Sequence, residues 1–248
     1  MQILKKIDIG KVRNSNQDAA EVFMLANNTA FAIVCDGIGG SRGGEIASDR
    51  AVQIISEYVK NAFSANMDNE KLTQLLKNAI TSANINLFYM SSADNSLSGM
   101  GTTVVAAIIT DNYAIICHVG DSRAYLISDD IIQITTDHSV VQSLIESGEL
   151  TLSEAKAFPD KNIITRALGV QESVLADCSI VPVSEGESIL LCSDGLTNYT
   201  EPSLILNIFK DNDIFDVPDL LIQAANSGGG GDNISVAVVT KERGLLDG

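Results

Sequence analysis

The run Ala30-Phe-Ala-Ile-Val-Cys35, and the two helical patterns that follow it without a strand between them, decide the fold class. The six apolar residues stop at Asp36-Gly37, and so short a run with a turn signal behind it reads as a β-strand. From Gly44 to Phe63 the apolar residues Ile46, Ala47, Ala51, Ile54, Ile55, Tyr58 and Val59 recur every three or four positions. Leu72, Leu75, Leu76, Ala79, Ile80 and Ala83 then repeat the pattern, so one amphipathic helix follows directly on another. Working outward, strands are expected at Thr102 to Ile109, Ala114 to Val119, Arg123 to Ile127, Ser188 to Cys192 and Ile234 to Val239. A second helix pair is expected from Glu201-Pro-Ser-Leu-Ile-Leu-Asn-Ile-Phe209 and Val217-Pro-Asp-Leu-Leu-Ile-Gln-Ala-Ala225, each with proline near its start. Between the halves, Thr151-Leu-Ser-Glu154 has the capping-box spacing of a short helix in an otherwise irregular stretch. Blocks of strands alternating with helix pairs predict an α+β protein with antiparallel sheets covered by helices, not the strict βαβ alternation of a parallel sheet. With no Pro-rich or Ser-rich linker, no repeat and no low-complexity tract besides Gly228 to Gly231, residues 1–248 read as a single domain.

Composition bounds the function. Sixteen basic residues stand against 32 acidic ones in 248, a formal net charge of −16. That balance excludes general nucleic-acid binding and an electrostatic hold on an anionic membrane, since both require clustered Lys and Arg. A hydrophobic content of 45% excludes a disordered acidic tail. The N-terminal residues carry charge without a following apolar region, and the longest apolar runs fall far short of the roughly 20 residues of a membrane span. The four cysteines are far apart, and three lie in apolar runs where free thiols act as small hydrophobes, which predicts a reducing cytoplasm. Two histidines and no Cys-x-x-Cys leave no dedicated zinc site.

The acid is unevenly chosen, with 20 Asp against 12 Glu. Short Asp side chains suit turns, caps and oxygen-rich metal sites. Asp36, Asp121 and Asp194 each end an apolar strand and precede glycine or serine, while Asp232 in Gly231-Asp-Asn-Ile-Ser-Val236 opens one. A single Asp-Gly is ordinarily a turn. Four carboxylates gathered at strand ends make an oxygen-lined site whose mutual repulsion a hard cation such as Mg²⁺ or Mn²⁺ relieves.

Three other motifs fail on spacing or context. Gly37-Ile-Gly-Gly-Ser-Arg-Gly-Gly44 has Arg42 where Gly-x-Gly-x-x-Gly needs glycine, and no P-loop Lys follows. Asp211-Asn-Asp-Ile-Phe-Asp216 begins like an EF-hand but lacks its glycine and closing Glu, so it reads as a solvated loop. Cys117-His-Val-Gly-Asp-Ser-Arg123 matches the Cys-x5-Arg signature of thiol phosphatases, yet a strand follows Arg123 where a helix N-terminus is needed to bind phosphate and depress the thiol pKa. Cys117 reads as a buried structural residue.

Taken in order, Arg13-Asn-Ser-Asn-Gln-Asp18, Val34-Cys-Asp-Gly-Ile-Gly-Gly40, Gly101-Thr-Thr103, His118-Val-Gly-Asp-Ser-Arg123, Thr136-Asp-His-Ser139, Ile164-Thr-Arg-Ala-Leu-Gly169, Cys192-Ser-Asp-Gly-Leu196 and Gly231-Asp-Asn-Ile-Ser235 resemble the motif series of the metal-dependent Ser/Thr protein phosphatases, the protein phosphatase type 2C family, and in particular its bacterial members. The resemblance implies a four-layer α-β-β-α sandwich with a binuclear Mg²⁺/Mn²⁺ centre at one end. Asp36 would bridge both ions, Asp194 and Asp232 would complete one, and the Gly37 carbonyl would bind the other. Asp18 would act through water, Arg13 would hold the substrate phosphate, and Asp121 with Asp194 match the third metal site of bacterial relatives. The stretch from about Val140 to Ile164 would be a flap beside the site. The activity implied is hydrolysis of phosphoserine and phosphothreonine in proteins by a water shared between two cations, reversing a Ser/Thr kinase, in a monomer.

The sequence departs from the eukaryotic pattern in two places. Ile38 stands where that pattern often has a His proposed as the acid, and Gln17 stands where it has Glu. Proton donation to the leaving group is thereby left to a water held by the ions, with His138 a weaker choice. Two rival readings are a thiol phosphatase using Cys117 and a non-catalytic phosphoprotein-binding module that kept the fold.

Overall fold

The computed structural model describes residues 1–39, 42–156, 158 and 162–242. Eleven strands form two sheets. The first has the order β1 (Gln2–Asp8), β11 (Ile234–Thr240), β10 (Ser188–Cys192), β7 (Arg123–Ile127) and β8 (Ile131–Gln133). The second runs β2 (Asp18–Met24), β3 (Ala30–Ile38), β5 (Val104–Ile109), β6 (Tyr113–Val119) and β9 (Asp177–Pro182), with the short β4 (Gly101–Thr102) paired to the end of β3. Every strand pair is antiparallel. Helices α1 (Gly43–Ala62) and α2 (Asn69–Ala93) cover the second sheet, and α6 (Pro202–Asp211) and α7 (Val217–Ser227) cover the first. Three short helices complete the set: α3 (Val140–Glu146), α4 (Leu152–Lys156) and α5 (Asp194–Thr197).

Strand β3 shows why its sequence is apolar without alternation. Phe31, Ile33 and Cys35 face Ala47, Ala51 and Ile55 of α1 and Leu76 and Ile80 of α2. Their neighbours Ala30, Ala32 and Val34 face the other sheet, where they meet Ile189, Leu191, Ala237 and Val239. With both faces covered, period-2 polarity has nothing to gain, and each fully buried aliphatic side chain contributes roughly 1.5–3 kcal/mol. On the far side of the first sheet, Leu190, Cys192, Val236 and Val238 pack on Ile205, Val217, Leu221 and Ala225. The result is four layers, helix–sheet–sheet–helix.

The strands at 123–127 and 188–192 appear with the boundaries read from the sequence, and both expected helix pairs are present, with α2 running ten residues past the Ala83 that closed its apolar pattern. Thr151 and Glu154 close the capping box: Thr151 N donates to Glu154 Oε2 at 2.8 Å and Glu154 N to Thr151 Oγ1 at 3.3 Å. Residues 211–216 form the helix end and turn between α6 and α7, as a solvated loop should. The expected strand from Thr102 breaks at Thr103, whose backbone N–H donates to Asp36 O at 2.8 Å instead of continuing one ladder. Gly40 and Ser41 of the glycine-rich segment, and residues 157 and 159–161 of the expected flap, lie outside the described residues.

The cysteine reading requires correction. Cys117 on β6 and Cys178 on β9 are register partners, and their Sγ atoms are bonded at 2.01 Å. Only Cys35 and Cys192 are free, both buried. Sequence separation of 61 residues hid the pair, because β9 carries too little apolar pattern to be recognised as the neighbour of β6. Among the described residues no helix is long and apolar enough to cross a membrane.

Candidate metal centre

Antiparallel registers bring six expected site residues to one end of the sandwich. Asp36 and Gly37 close β3, and Asp18, opposite Asp36 in the register, opens β2. Gly120 and Asp121 follow β6, Ser193 and Asp194 follow β10, and Asp232 and Asn233 precede β11. Each strand delivers its carboxylate where the ladder ends and side chains no longer have to alternate into a core. Arg13, Asp36, Gly37, Asp121, Asp194 and Asp232 line one cleft of about 280 Å³, together with Gln17, Thr103 and Asn162.

Backbone contacts fix the floor of that cleft. Thr103 Oγ1 accepts the Asp36 N–H at 2.9 Å and pairs with Ser122 Oγ at 2.7 Å, while Thr102 Oγ1 donates to Asp36 O at 2.8 Å. Gly37 N donates to Gln17 O at 2.9 Å. A Cβ on Gly37 would stand 2.1 Å from Gly44 O, so only glycine lets β3 pass this close to the start of α1. A Cβ on Gly195 would meet Asn233 O at 1.8 Å, which likewise ties α5 to the entry of β11.

Asp18 does not line the cleft. It is buried behind it, 7% exposed, with Oδ2 accepting from Ser193 Oγ and Ser235 Oγ at 2.6 Å each. Burial pushes its carboxyl up to about 7 against the pull of those hydroxyls, and the Asp194 and Asp232 charges add to the rise. Burial also raises Asp36 well above the usual carboxylate range, reinforced by Asp18, Asp194, Asp121 and Asp232. Asp121 is pushed up to about 8 by burial and by Asp194 and Asp137, and Asp194 is raised by burial and Asp232. Burial first, and mutual repulsion second, disfavour bare negative charge here, the setting that a bound cation complements.

The donor set fits hard divalent cations. Asp194 Oδ1 and Asp18 Oδ1 are buried and accept no hydrogen bond, which is costly for an anionic oxygen without a cation or water. Among the described residues no group of three or more His, Cys, Asp or Glu stands ready around one ion. Mg²⁺ in particular takes one or two carboxylates and keeps several waters, so the arrangement suits Mg²⁺-type coordination better than a closed protein cage. The positive partner already at the cleft is Arg13, half-exposed, whose Nη2 meets Asp232 Oδ2 at 2.9 Å. Its hydrogen bond and ion pair with Asp232 hold the guanidinium charged, with Asp36 and Asp194 adding to the effect.

Several residues that serve this geometry were quoted in motifs but given no part by sequence reasoning. Asn233 is the foremost. Its Oδ1 accepts from Gln17 N at 2.8 Å, and its Nδ2 donates to Ile9 O at 2.9 Å and Ser15 O at 3.0 Å. Asn233 thus grips both ends of the loop that carries Arg13. Ser193 and Ser235 on Asp18, and Arg123 held by Asp137 at 2.6 Å, are of the same kind. Only a side chain's partner distinguishes a gripping Asn from a solvated one, and the sequence does not show partners. His138 takes the Gly120 N–H on Nδ1 at 3.1 Å, so its Nε2 carries the proton and donates to Asp177 Oδ2 at 3.2 Å, and it does not line the cleft. The thiol-phosphatase reading ends here: Cys117 is fully buried and disulfide-bonded, and Arg123 is occupied by Asp137.

A carboxylate cleft without a protein nucleophile, beside a half-free Arg, on stacked antiparallel sheets, defines a cation-dependent phosphate-ester hydrolase. The protein phosphatase 2C family profile matches residues 11–223. The serine/threonine phosphatase stp of Listeria monocytogenes is 38% identical over 239 residues, covering 96% of this chain and 94% of that protein. The protein phosphatase PhpP of Streptococcus pneumoniae is 36% identical over 255 residues, covering 97% of each. The structure of serine/threonine phosphatase Stp1 from Staphylococcus aureus superposes with a TM-score of 0.91 at 33% identity, over 98% of this chain and 95% of that one. The catalytic domain of the phosphatase PstP in complex with two manganese ions superposes with a TM-score of 0.83 at 30% identity, over 96% of each chain. The chain belongs to the protein phosphatase 2C family and is a metal-dependent serine/threonine phosphatase.

Proposed function

We propose that this enzyme removes phosphate from phosphoserine and phosphothreonine in proteins at the cleft between Arg13 and Asp36, with two Mg²⁺ or Mn²⁺ ions, in opposition to a Ser/Thr kinase. The observation that carries the reading is the convergence of Asp36, Asp121, Asp194 and Asp232 on one cleft, with the carboxyls of Asp36, Asp121 and Asp194 raised and an Asp194 oxygen unsatisfied. Asp36, Asp194, Asp232 and the Gly37 carbonyl would hold the pair, and Asp121 with Asp194 would hold a third ion. When bound, divalent cations supply an activated water and neutralise the phosphate dianion. Arg13, with a planar fork that stays charged, binds and orients phosphate oxygens once substrate draws it from Asp232. Asp18 orients what lies in the cleft from behind, through Ser193 and Ser235 on one oxygen and a free second oxygen. Asn233 keeps the Arg13 loop in register with Asp232. The chain acts as one monomeric cytoplasmic domain, with the stretch from about 140 to 164 as a flap beside the cleft and no nucleic-acid or membrane partner.

Hydrolysis of a phosphothreonine peptide across a metal series tests this. Turnover with Mn²⁺ or Mg²⁺, its loss in EDTA and a large loss in Asp232→Asn are expected. EDTA-resistant hydrolysis, or none with any divalent cation, would overturn it.

A further inference from the structure

Beside the carboxylate cleft lies a second cavity of about 450 Å³, walled by Ile38, Ile164, Val170, Val174 and Leu175 with Arg166 on its border. The two cavities share Ile38 and Ile164. Resting on the phosphatase reading, we propose that this second cavity is the subsite that takes an apolar side chain one or two residues from the phosphorylated Ser or Thr of a protein substrate.

Three observations carry it. Apolar surface is concentrated here and nothing in the described chain covers it: Leu175 is 81% exposed and Val170 is 50% exposed. Clustered exposed aliphatics mark a surface meant for a partner, whereas scattered ones do not. The walls also converge by construction. A Cβ on Gly101 would stand 2.9 Å from Val170 Cγ2 and 3.3 Å from Ile38 Cδ1, so the glycine lets the two side chains close over β4. Ile38 thereby acquires a part. Where the eukaryotic pattern has a histidine, this chain places an aliphatic wall common to both cavities.

The occupant follows from continuity and charge. Neighbouring Cα atoms are 3.8 Å apart, so a residue adjacent to the one in the cleft reaches across a shared wall. Among the described residues the one cation on the border, Arg166, is already engaged: Nη1 meets Asp177 Oδ1 at 3.0 Å and His138 Nε2 at 3.2 Å. An acidic flanking residue therefore finds the Arg166 charge spent, while an aliphatic one finds two exposed aliphatic neighbours, Val170 and Leu175. Discrimination by a single apolar side chain in such a pocket is worth about 10-fold or more in kcat/KM.

The test uses the Mn²⁺-loaded full chain on phosphothreonine peptides with Leu, Ala, Asp or Lys at the flanking positions on either side, and p-nitrophenyl phosphate as a substrate with no flank. Wild type should prefer Leu over Ala by about 10-fold at one position. Leu175→Asp, and separately Val170→Asp, should bring the Leu peptide down to the level of the Ala peptide and leave p-nitrophenyl phosphate turnover and the melting temperature unchanged. Both side chains are exposed, so neither variant puts folding at stake. Equal rates for Leu and Ala in wild type, or a uniform fall for all substrates in both variants, would overturn the proposal. So would an Asp preference abolished by Arg166→Gln, or a change from dimer to monomer in Leu175→Asp, since the cavity would then read acid or a second copy. Failure of wild type on p-nitrophenyl phosphate would instead strike the phosphatase reading, and this subsite with it.

Discussion

Asp18, one of several interacting buried carboxyls, makes the protein lose stability as pH rises, and Asp18→Asn removes its contribution together with its push on Asp36. The group is 7% exposed, and folding pushes its carboxyl up to about 7 from 3.8 for an ordinary aspartate. A carboxyl raised on folding keeps in the native state a proton that the unfolded chain has shed. Its contribution is fully present below about pH 4, declines as pH rises, and is gone above about pH 7. Each pH unit in that interval costs about 1.4 kcal/mol per group, so between pH 5.5 and 7.5 the loss is about 2 kcal/mol. For a chain of this size that is roughly 4–8 °C in melting temperature. Buried His138, whose pKa is lowered by burial, acts in the opposite direction in the same window, because its unfolded form binds the extra proton. Wild type and Asp18→Asn must therefore be compared at each pH. In EDTA, thermal melts should show wild type gaining on the variant as pH falls from 7.5 to 5.5. Saturating Mn²⁺ should stabilise wild type most at pH 7.5, where protons compete least, by about 2.7 kcal/mol at 100 times Kd. Parallel pH profiles for the two proteins in EDTA would refute the reasoning.

Three further outcomes are expected. Arg13→Ala should raise KM for a phosphopeptide and lower kcat/KM by about 10- to 100-fold with the melting temperature little changed, since the loss is roughly one or two charge-assisted hydrogen bonds to phosphate; Arg13→Lys should recover only part, and full recovery would deny the planar fork a role. Asn233→Ala should cost about 2–4 kcal/mol in urea unfolding, because it strips partners from Gln17 N–H and from the Ile9 and Ser15 carbonyls, and it should raise KM in a way that does not add to Arg13→Ala in the double variant. Thiol titration of the denatured, unreduced chain should find two thiols, Cys35 and Cys192, rising to four after reduction; four without reduction would contradict the bridge, and Cys117→Ser should retain turnover.

The elements legible in the sequence are those whose pattern reports their own burial. β3, β5 and β6 are apolar on both faces, and α1, α2, α6 and α7 carry one apolar stripe each, so residue spacing alone locates them. β1, β2, β8 and β9 were not anticipated. β1 carries Lys5 and Lys6 side by side, β2 begins Asp-Ala-Ala-Glu, and β9 ends in a proline. All are edge or near-edge strands, and their membership depends on a partner's ladder more than on their own composition. At the site, Asp36, Asp121, Asp194 and Asp232 were legible because an Asp terminating an apolar run is locally unusual. Asn233 and Ser235, one and three residues beyond Asp232, were invisible as actors. Their meaning lies in contacts to residues 9, 15, 17 and 18, more than 200 positions away.

That separation has a consequence in time. β11 lies between β1 and β10, pairing Gln2 with Thr240 and Ser188 with Thr240, so the first sheet has a gap at its middle until the last strand arrives. β1 is made long before β11, its one ladder partner among the described residues, and Arg13 cannot meet Asp232 before then. The helix-covered second sheet can consolidate while synthesis continues, since β2, β3, β5, β6 and β9 are all made earlier. Closure of the most distant contact is the slow, entropically costly step. A nascent chain therefore lacks the Arg13–Asp232 pair, and the cleft it closes, until the segment entering β11 has been made.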